Sequence, residues 1–272
     1  MAGYRTEDLC FRKLGDAELL GRLYRPDGDA PVPYVIDAHG GAWSSGDRLN
    51  NSNIHEVLAA NGIGIFALDF RLAGEAKFPA PVEDVNFGVR WFKTNASKLG
   101  VEPGPIGGLG SSSGGQQMGM IAFRPNDPLY AVSDPALGED ASLDFFVGCW
   151  PILDPLARYR MAQAAGKQRL VEATETYFGD EAAMRTGNPY LIVEGGKATH
   201  LPPMVVVQGT ADDNVEHERA DIFADAYRAA GGTIDVHKYD GQPHNFIKAN
   251  PDDDAADAAT AVIQAFVLAQ AG

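Results

Sequence analysis

Gly108-Leu109-Gly110-Ser111-Ser112-Ser113-Gly114-Gly115 is the stretch on which the reading of this chain turns. Its inner five residues fit the pattern Gly-x-Ser-x-Gly with Ser112 at the centre. A serine hydroxyl is a weak nucleophile at neutral pH. A reactive one must project from a sharp strand-to-helix turn towards a base and towards donors for an oxyanion. Small residues two before and two after the serine permit that turn, because a Cβ at either place would crowd the strained backbone. Only Ser112 has glycine at both offsets, which leaves Ser111 and Ser113 as second choices. A serine-glycine string is also what a surface loop looks like, so the flanks have to decide. Before it, Pro105-Ile106-Gly107-Gly108-Leu109 is a glycine-rich strand signal; after it, 116–123 suits a helix in which Gly115 and Gly119 allow close approach to a sheet.

Outward from this turn, short apolar runs alternate with longer helical patterns. The spacing predicts strands over 34–38, 63–68, 106–109, 143–149, 204–208 and 234–239, several apolar nearly throughout, as parallel strands covered on both faces are. Helices are predicted over 52–61, with Ile54, Val57 and Leu58 on one face, and over 81–99, which opens on proline and ends at Gly100. Two more follow over 216–230, with Ile222, Phe223, Ala226 and Tyr227 inward, and over 255–270, with Val262, Ile263, Phe266 and Val267 as the stripe. Such alternation implies an α/β fold: a mostly parallel central sheet with helices on both faces. The stretch 150–200 breaks the rhythm. One or two amphipathic helices over 155–178 suggest an insertion that roofs the carboxyl ends of the strands, the alternative being an ordinary crossover with a long loop. No repeat and no low-complexity tract divides the 272 residues, so one domain is expected over 1–272.

The formal charge of −15 argues against nucleic acid and anionic membrane surfaces as partners and mildly disfavours polyanionic substrates. No run of about 18 apolar residues is present to span a bilayer. Cys10 and Cys149 lie far apart, and Met1-Ala2-Gly3-Tyr4-Arg5 is not an apolar leader, so the cytoplasm is the default expectation. Cys149, after Phe145-Phe146-Val147, reads as a small core residue.

Three further clusters sit where strands end. His39-Gly40-Gly41-Ala42-Trp43 follows the strand at 34–38, and successive amides in such a turn can aim at one oxygen, as an oxyanion hole requires. Gly209-Thr210-Ala211-Asp212-Asp213-Asn214-Val215 follows the strand at 204–208. A carboxylate there can accept the Nδ1 proton of a histidine, with Asp212 preferred over Asp213 and a plain turn or cap as the rival role. Gly241-Gln242-Pro243-His244-Asn245-Phe246 lies between the last strand and the last helix, and His244 is the favoured base. His237 in a strand, His217 and His55 on helices and His200 before a strand are weaker. Serine, acid and base then fall in the order Ser112, Asp212, His244. Asp69-Phe70-Arg71 suggests a structural ion pair near the site.

These motifs, with Ser45-Gly46-Asp47, span residues 39–246, and on them the chain resembles the α/β-hydrolase superfamily, specifically carboxylesterases related to hormone-sensitive lipase, feruloyl esterases and arylformamidases. Ala42 departs from the third glycine found in many relatives, although its amide can still donate. The resemblance implies an α/β-hydrolase fold with a helical cap, and serine acyl transfer in which Ser112 attacks, His244 carries the proton and Asp212 orients it. Amides of Gly41, Ala42 and Ser113 would hold the oxyanion, with no metal or organic cofactor.

Other chemistries fail on spacing. Residues 108–113 do not complete Gly-x-Gly-x-x-Gly, no phosphate loop follows, and His217-Glu218-Arg219-Ala220-Asp221 is not HExxH. Glu83-Asp84 carries no separate sign of glycosidase chemistry. Trp43, Phe78, Trp150, Tyr159 and Phe246 are candidate lining for an apolar pocket, each with a core role as its rival. The expected substrate is a small to medium carboxylic ester. An amidase or arylformamidase using the same residues is second, and a non-catalytic receptor on the same fold is third. A homo-oligomer is compatible with the composition.

Overall fold

Valine and isoleucine runs without alternation bury both faces of a strand, and they become the middle of the sheet. The computed structural model describes residues 3–28, 30–132, 134–138 and 140–272; Met1 and Ala2, the start of the stretch inspected for a leader, lie outside the described residues. Its elements are β1 (Tyr4–Leu14), β2 (Ala17–Pro26), β3 (Val32–Ala38), α1 (Ser52–Ala60), β4 (Gly64–Leu68), α2 (Ala80–Asn95), β5 (Pro103–Ser111), α3 (Ser113–Phe123) and β6 (Phe146–Cys149). There follow α4 (Pro155–Ala164), α5 (Gln168–Phe178), α6 (Glu181–Thr186), α7 (Pro189–Glu194), β7 (Met204–Gly209), α8 (Glu218–Ala229), β8 (Ile234–Tyr239), α9 (Phe246–Ala249) and α10 (Asp254–Ala269).

The strands form one sheet in the order β1-β2-β4-β3-β5-β6-β7-β8. From β4 to β8 every pairing is parallel, whereas β2 runs antiparallel to both β1 and β4. The chain leaves β3 for β4 on one side and then returns to β5 on the other, so the order reverses at β3 and β5. In open parallel sheets that reversal opens a crevice beyond the carboxyl ends of the strands. Ala38 pairs with Gly110 there, which sets the turn after β3 beside the turn after β5.

One face of the sheet packs on α2, α3 and α8 through Val85, Val89, Ile121, Phe123 and Phe223; the other packs on α1 and α10 through Leu58, Ile263 and Val267. A third cluster joins Trp43 to Tyr177, Phe178 and Met184 beneath the helices that follow β6. Each of α4, α6 and α7 starts on a side-chain cap, Asp154, Asp180 and Asn188, which accepts an amide three residues on. Two helices cover 155–178, and two further short ones complete the segment before β7.

Several expectations need correction. The β1–β2 hairpin was not among the expected strands, because Arg5, Glu7, Asp8 and Lys13 leave β1 without an apolar run and much of its surface faces solvent. The helix expected over 81–99 ends at Asn95 and tightens into a 3-10 turn at Ala96–Leu99, closed by Gly100 at φ 67°. Val57 and Ile222, placed inward by periodicity, are 42% and 39% exposed because each lies at the margin of its apolar stripe. Asp69 and Arg71 do not pair with each other: Asp69 binds Arg48 at 2.9 Å and Arg71 binds Asp84 at 2.7 Å. Among the described residues no helix is long and apolar enough to cross a membrane.

Candidate active site

Ser112 occupies the turn between β5 and α3 at φ 49°, ψ −118°, a backbone state that costs energy for any residue with a Cβ. Neighbouring strands hold it there: the Ser112 amide donates to Cys149 O at 3.0 Å and Ser112 O accepts from the Ile152 amide at 2.9 Å. The flanking glycines are required by space. A Cβ on Gly114 would lie 1.9 Å from Ala38 O, and one on Gly110 would lie 2.7 Å from Gly114 O. The turn therefore closes only because α3 can press against the backbone that leaves β3.

Three loops converge on this serine. His244 Nε2 lies 2.9 Å from Ser112 Oγ, and His244 Nδ1 lies 2.7 Å from Asp212 Oδ2. Asp212 Oδ2 also accepts from Gln208 Nε2 at 2.9 Å, while Oδ1 accepts the amides of Asn214 and Val215, both at 2.8 Å. Burial alone would raise the carboxyl of Asp212. The hydrogen bond from His244, the charge of that imidazole and the two amides outweigh it and hold Asp212 below its ordinary value. Asp213 points away with its side chain 86% exposed, 3.5 Å from Lys167. Among the described residues only His244 brings an imidazole to Ser112: His55 binds Asp37, His200 binds Leu143 O, and His217 faces Lys238.

The turn after β3 supplies the facing wall. The amides of Gly40 and Trp43 are taken by Ser111 Oγ at 2.9 Å and Ser113 Oγ at 3.1 Å. Those of Gly41, Ala42 and Ser113 donate to no acceptor among the described residues, and Gly41 and Ala42 line the cavity that contains Ser112 and His244. Ser111 Oγ is in turn reached by Asn51 Nδ2 at 3.0 Å. Asn51 Nδ2 also bonds both oxygens of Asp37 at 3.1 Å, and Asp37 meets His55 Nε2 at 3.0 Å. Asp37 and His55 are wholly buried, so this polar cluster is a fixed strut behind the turn. The sequence reading missed it, because nothing in the spacing of 37, 51, 55 and 111 marks them as neighbours.

The cavity has a volume of about 230 Å³. Of the five aromatic candidates only Trp150 lines it, with its ring centroid 6.3 Å from that of His244. Trp43 and Tyr159 are buried in the cluster beneath the helices after β6, with Phe78 packed against it, and Phe246 is buried on the α10 side of the sheet. Trp43 stacks on Tyr177 at 5.0 Å, so its ring is spent on the core and not on the cavity. The lining instead includes Asn50, Asn214 and Asn245 with Arg169 and Leu170 from α5. Asn214 and Asn245 stand two and one residues from Asp212 and His244, a proximity that could have flagged them; Arg169 and Leu170 carried no signal. Behind Asn214 lies Arg158, 3% exposed, which donates to Asn214 Oδ1 at 2.9 Å and to Thr174 Oγ1 at 3.1 Å. Burial pushes its guanidinium down to about 10, against the opposing pull of the Asp212 charge. Cys149 is buried, and burial pushes its thiol up, away from reactivity. Among the described residues no three His, Cys, Asp or Glu side chains are grouped to hold a metal.

Comparison with known proteins gives consistent results. The BD-FAE family model matches residues 22–227. The esterase LipC of Mycobacterium tuberculosis is 28% identical over 220 residues, covering 79% of this chain and 53% of LipC; the chain thus spans about half the length of that relative. The carboxylesterase NlhH of the same organism is 26% identical over 232 residues, covering 79% of this chain and 67% of NlhH. A propionate-bound esterase from Thermogutta terrifontis superposes with a TM-score of 0.78 at 23% identity, over 96% of this chain and 93% of that one, which establishes the α/β-hydrolase fold.

Proposed function

Because the chain belongs to the BD-FAE family, within the α/β-hydrolase superfamily, we propose that it hydrolyses small carboxylic esters through an acyl-enzyme formed on Ser112. The observation that carries this reading is the unbroken contact from Ser112 Oγ to His244 Nε2 at 2.9 Å and from His244 Nδ1 to Asp212 Oδ2 at 2.7 Å. The esterase names of the relatives support the same chemistry.

Ser112 Oγ attacks the ester carbon while its proton passes to His244 Nε2, and the carbonyl π pair moves onto oxygen. Asp212, accepting the Nδ1 proton, holds the imidazole in the tautomer whose Nε2 lone pair faces the serine and stabilises the imidazolium that forms. The oxyanion lies against the free amides of Gly41, Ala42 and Ser113, each such donor contributing about 10²- to 10³-fold. Collapse breaks the bond to the alcohol oxygen, which takes the proton from His244. Water then gives a proton to His244 and attacks the acyl carbon. The second collapse releases the acid and returns the proton to Ser112 Oγ. The cavity of about 230 Å³ falls below the roughly 300–1,000 Å³ of sites for drug-sized ligands, which favours short acyl and alcohol groups. The helices α4 to α7 act in this reading as a cap, since α5 contributes Arg169 and Leu170 to the wall.

A fluorophosphonate probe tests the nucleophile. Wild type is expected to be labelled and to hydrolyse 4-nitrophenyl acetate, and Ser112→Ala to do neither while keeping its thermal midpoint. Labelling or near-wild-type turnover by Ser112→Ala would remove the proposal. Matched aryl acetates and acetanilides tested together should favour the ester.

A further inference from the structure

The chain carries a formal charge of −15, yet no Asp or Glu lines the cavity at Ser112. Its one charged lining side chain besides the catalytic imidazole is Arg169, which makes no ion pair and no hydrogen bond among the described residues. An arginine left without a carboxylate in so acidic a chain is notable, because most cations here are paired, as Lys167 is with Asp213 and Arg160 is with Glu181 shortly before it in the chain. Two further cations without a carboxylate partner stand behind lining residues and do not line the cavity themselves. Lys248 donates to Asn50 Oδ1, and Asn50 lines the cavity. Arg158 donates only to the neutral Asn214 and Thr174 and lies over the Trp43 ring at 5.6 Å. The acid nearest the reacting atoms, Asp212, has a wholly buried side chain turned to His244, so it does not neutralise the mouth.

A guanidinium is a planar fork of donors that matches a carboxylate in two-point contact. Amide side chains beside it add donors and no charge. A neutral hydrocarbon ester would leave the Arg169 fork to water alone, whereas an anionic one would pair with it.

We propose that Arg169 selects esters that carry a carboxylate away from the scissile bond, in either the acyl or the alcohol half; this rests on the esterase reading of Ser112. The contact forms at the cavity mouth, where Arg169 is exposed, so it acts on top of the reaction and not in place of it. Partial solvation limits the gain to about three- to tenfold in kcat/KM.

The test uses two matched pairs, mono(4-nitrophenyl) glutarate against 4-nitrophenyl pentanoate, and 4-acetoxybenzoate against 4-acetoxybenzamide. Each substrate is compared with itself across variants of the full chain, so intrinsic reactivity cancels. For at least one pair, Arg169→Ala should lower the anionic-to-neutral ratio of kcat/KM by about three- to tenfold, and Arg169→Glu should lower it further. Arg169→Lys should restore most of it. The effect should shrink between about 20 and 200 mM salt, as exposed charges are screened. Arg5→Ala, which removes the same charge from the edge strand β1, should leave the ratio unchanged. Identical ratios in wild type, Arg169→Ala and Arg169→Glu for both pairs would overturn the inference while leaving the esterase reading standing, as would an equal loss in Arg5→Ala. Turnover of none of the four esters by wild type would overturn the esterase reading and this inference with it.

Discussion

Replacing Asp212 by asparagine changes one oxygen into an NH2 group at nearly constant shape, and the surrounding donors decide which oxygen it is. Oδ1 accepts two main-chain amides, from Asn214 and Val215, that have nowhere else to turn. Oδ2 accepts from two side chains, Gln208 and His244. Turning the new NH2 towards the amides would leave two buried main-chain donors unpaired, at about 1–3 kcal/mol each. Turning it towards the side chains lets both adjust: Gln208 rotates its amide, and His244 moves its proton from Nδ1 to Nε2. The second arrangement costs less and is the one expected. His244 then presents Nε2–H to Ser112 Oγ and has no lone pair there, so general-base assistance is lost, worth about 10³- to 10⁴-fold in kcat. Steady-state hydrolysis of 4-nitrophenyl acetate measures the loss, and far-ultraviolet circular dichroism should show an intact fold. Asp213→Asn, altering a side chain that is 86% exposed, should stay within about twofold of wild type, as surface changes do. An Asp212→Asn enzyme within tenfold of wild type, or an Asp213→Asn enzyme impaired as much, would refute this account of the acid.

Gly114→Ala would ordinarily favour a helix by about 1 kcal/mol, but here the added Cβ meets Ala38 O at 1.9 Å; a loss of about 4 kcal/mol is expected instead, seen as a thermal midpoint lower by roughly 10 °C. Asn51→Ala strips Asp37 and Ser111 of a shared donor, and urea unfolding should show a loss of about 2–3 kcal/mol. The depressed carboxyl of Asp212 contributes stability that is complete above the unfolded value of about 3.9 and is lost as pH falls through the lower folded value. Asp212→Asn should therefore flatten the decline of the unfolding midpoint below about pH 4.

Much of this architecture was legible because its signals are local. β4 and β7, buried throughout, and β3, buried from Pro33 onward, are apolar nearly throughout in sequence, and each proposed catalytic group sits in a polar turn after a strand. Parallel strands bring such turns to one end of the sheet, so Ser112, Asp212 and His244 could be expected to meet although 132 positions separate the first from the last. What failed depends on tertiary contact. An aromatic residue after a strand, such as Trp43, can face the cavity or the cap, and only the position of Tyr177 on α5 decides. Arg169 is one of several charges on an amphipathic helix, and its place at the cavity follows from how α5 is rotated over the sheet. The strut through Asp37, Asn51, His55 and Ser111 joins three elements by side-chain polarity alone, which periodicity does not register.

Backbone strain marks the same place by an independent route. Among the described residues the non-glycine positions with positive φ are Ala42 at 52°, Trp43 at 60°, Ser112 at 49°, Trp150 at 40° and Asn245 at 62°. They follow β3, β5, β6 and β8, and all but Trp43 line the cavity. Each such residue costs about 1–3 kcal/mol and persists only where its surroundings over-determine it. Those surroundings are identifiable: the Trp43 amide on Ser113 Oγ, the Ser112 amide on Cys149 O, and the Trp150 amide on Val207 O at 2.8 Å. These bonds tie the strained turns after β3, β5 and β6 to the neighbouring strand or to the next turn, so none of the three relaxes without disturbing its neighbour. In the proposed mechanism the free amides of Gly41, Ala42 and Ser113, carried on these held turns, are aimed before substrate arrives. Little reorganisation is then required as charge develops on the oxyanion, which is the condition under which main-chain donors stabilise a transition state more than a ground state.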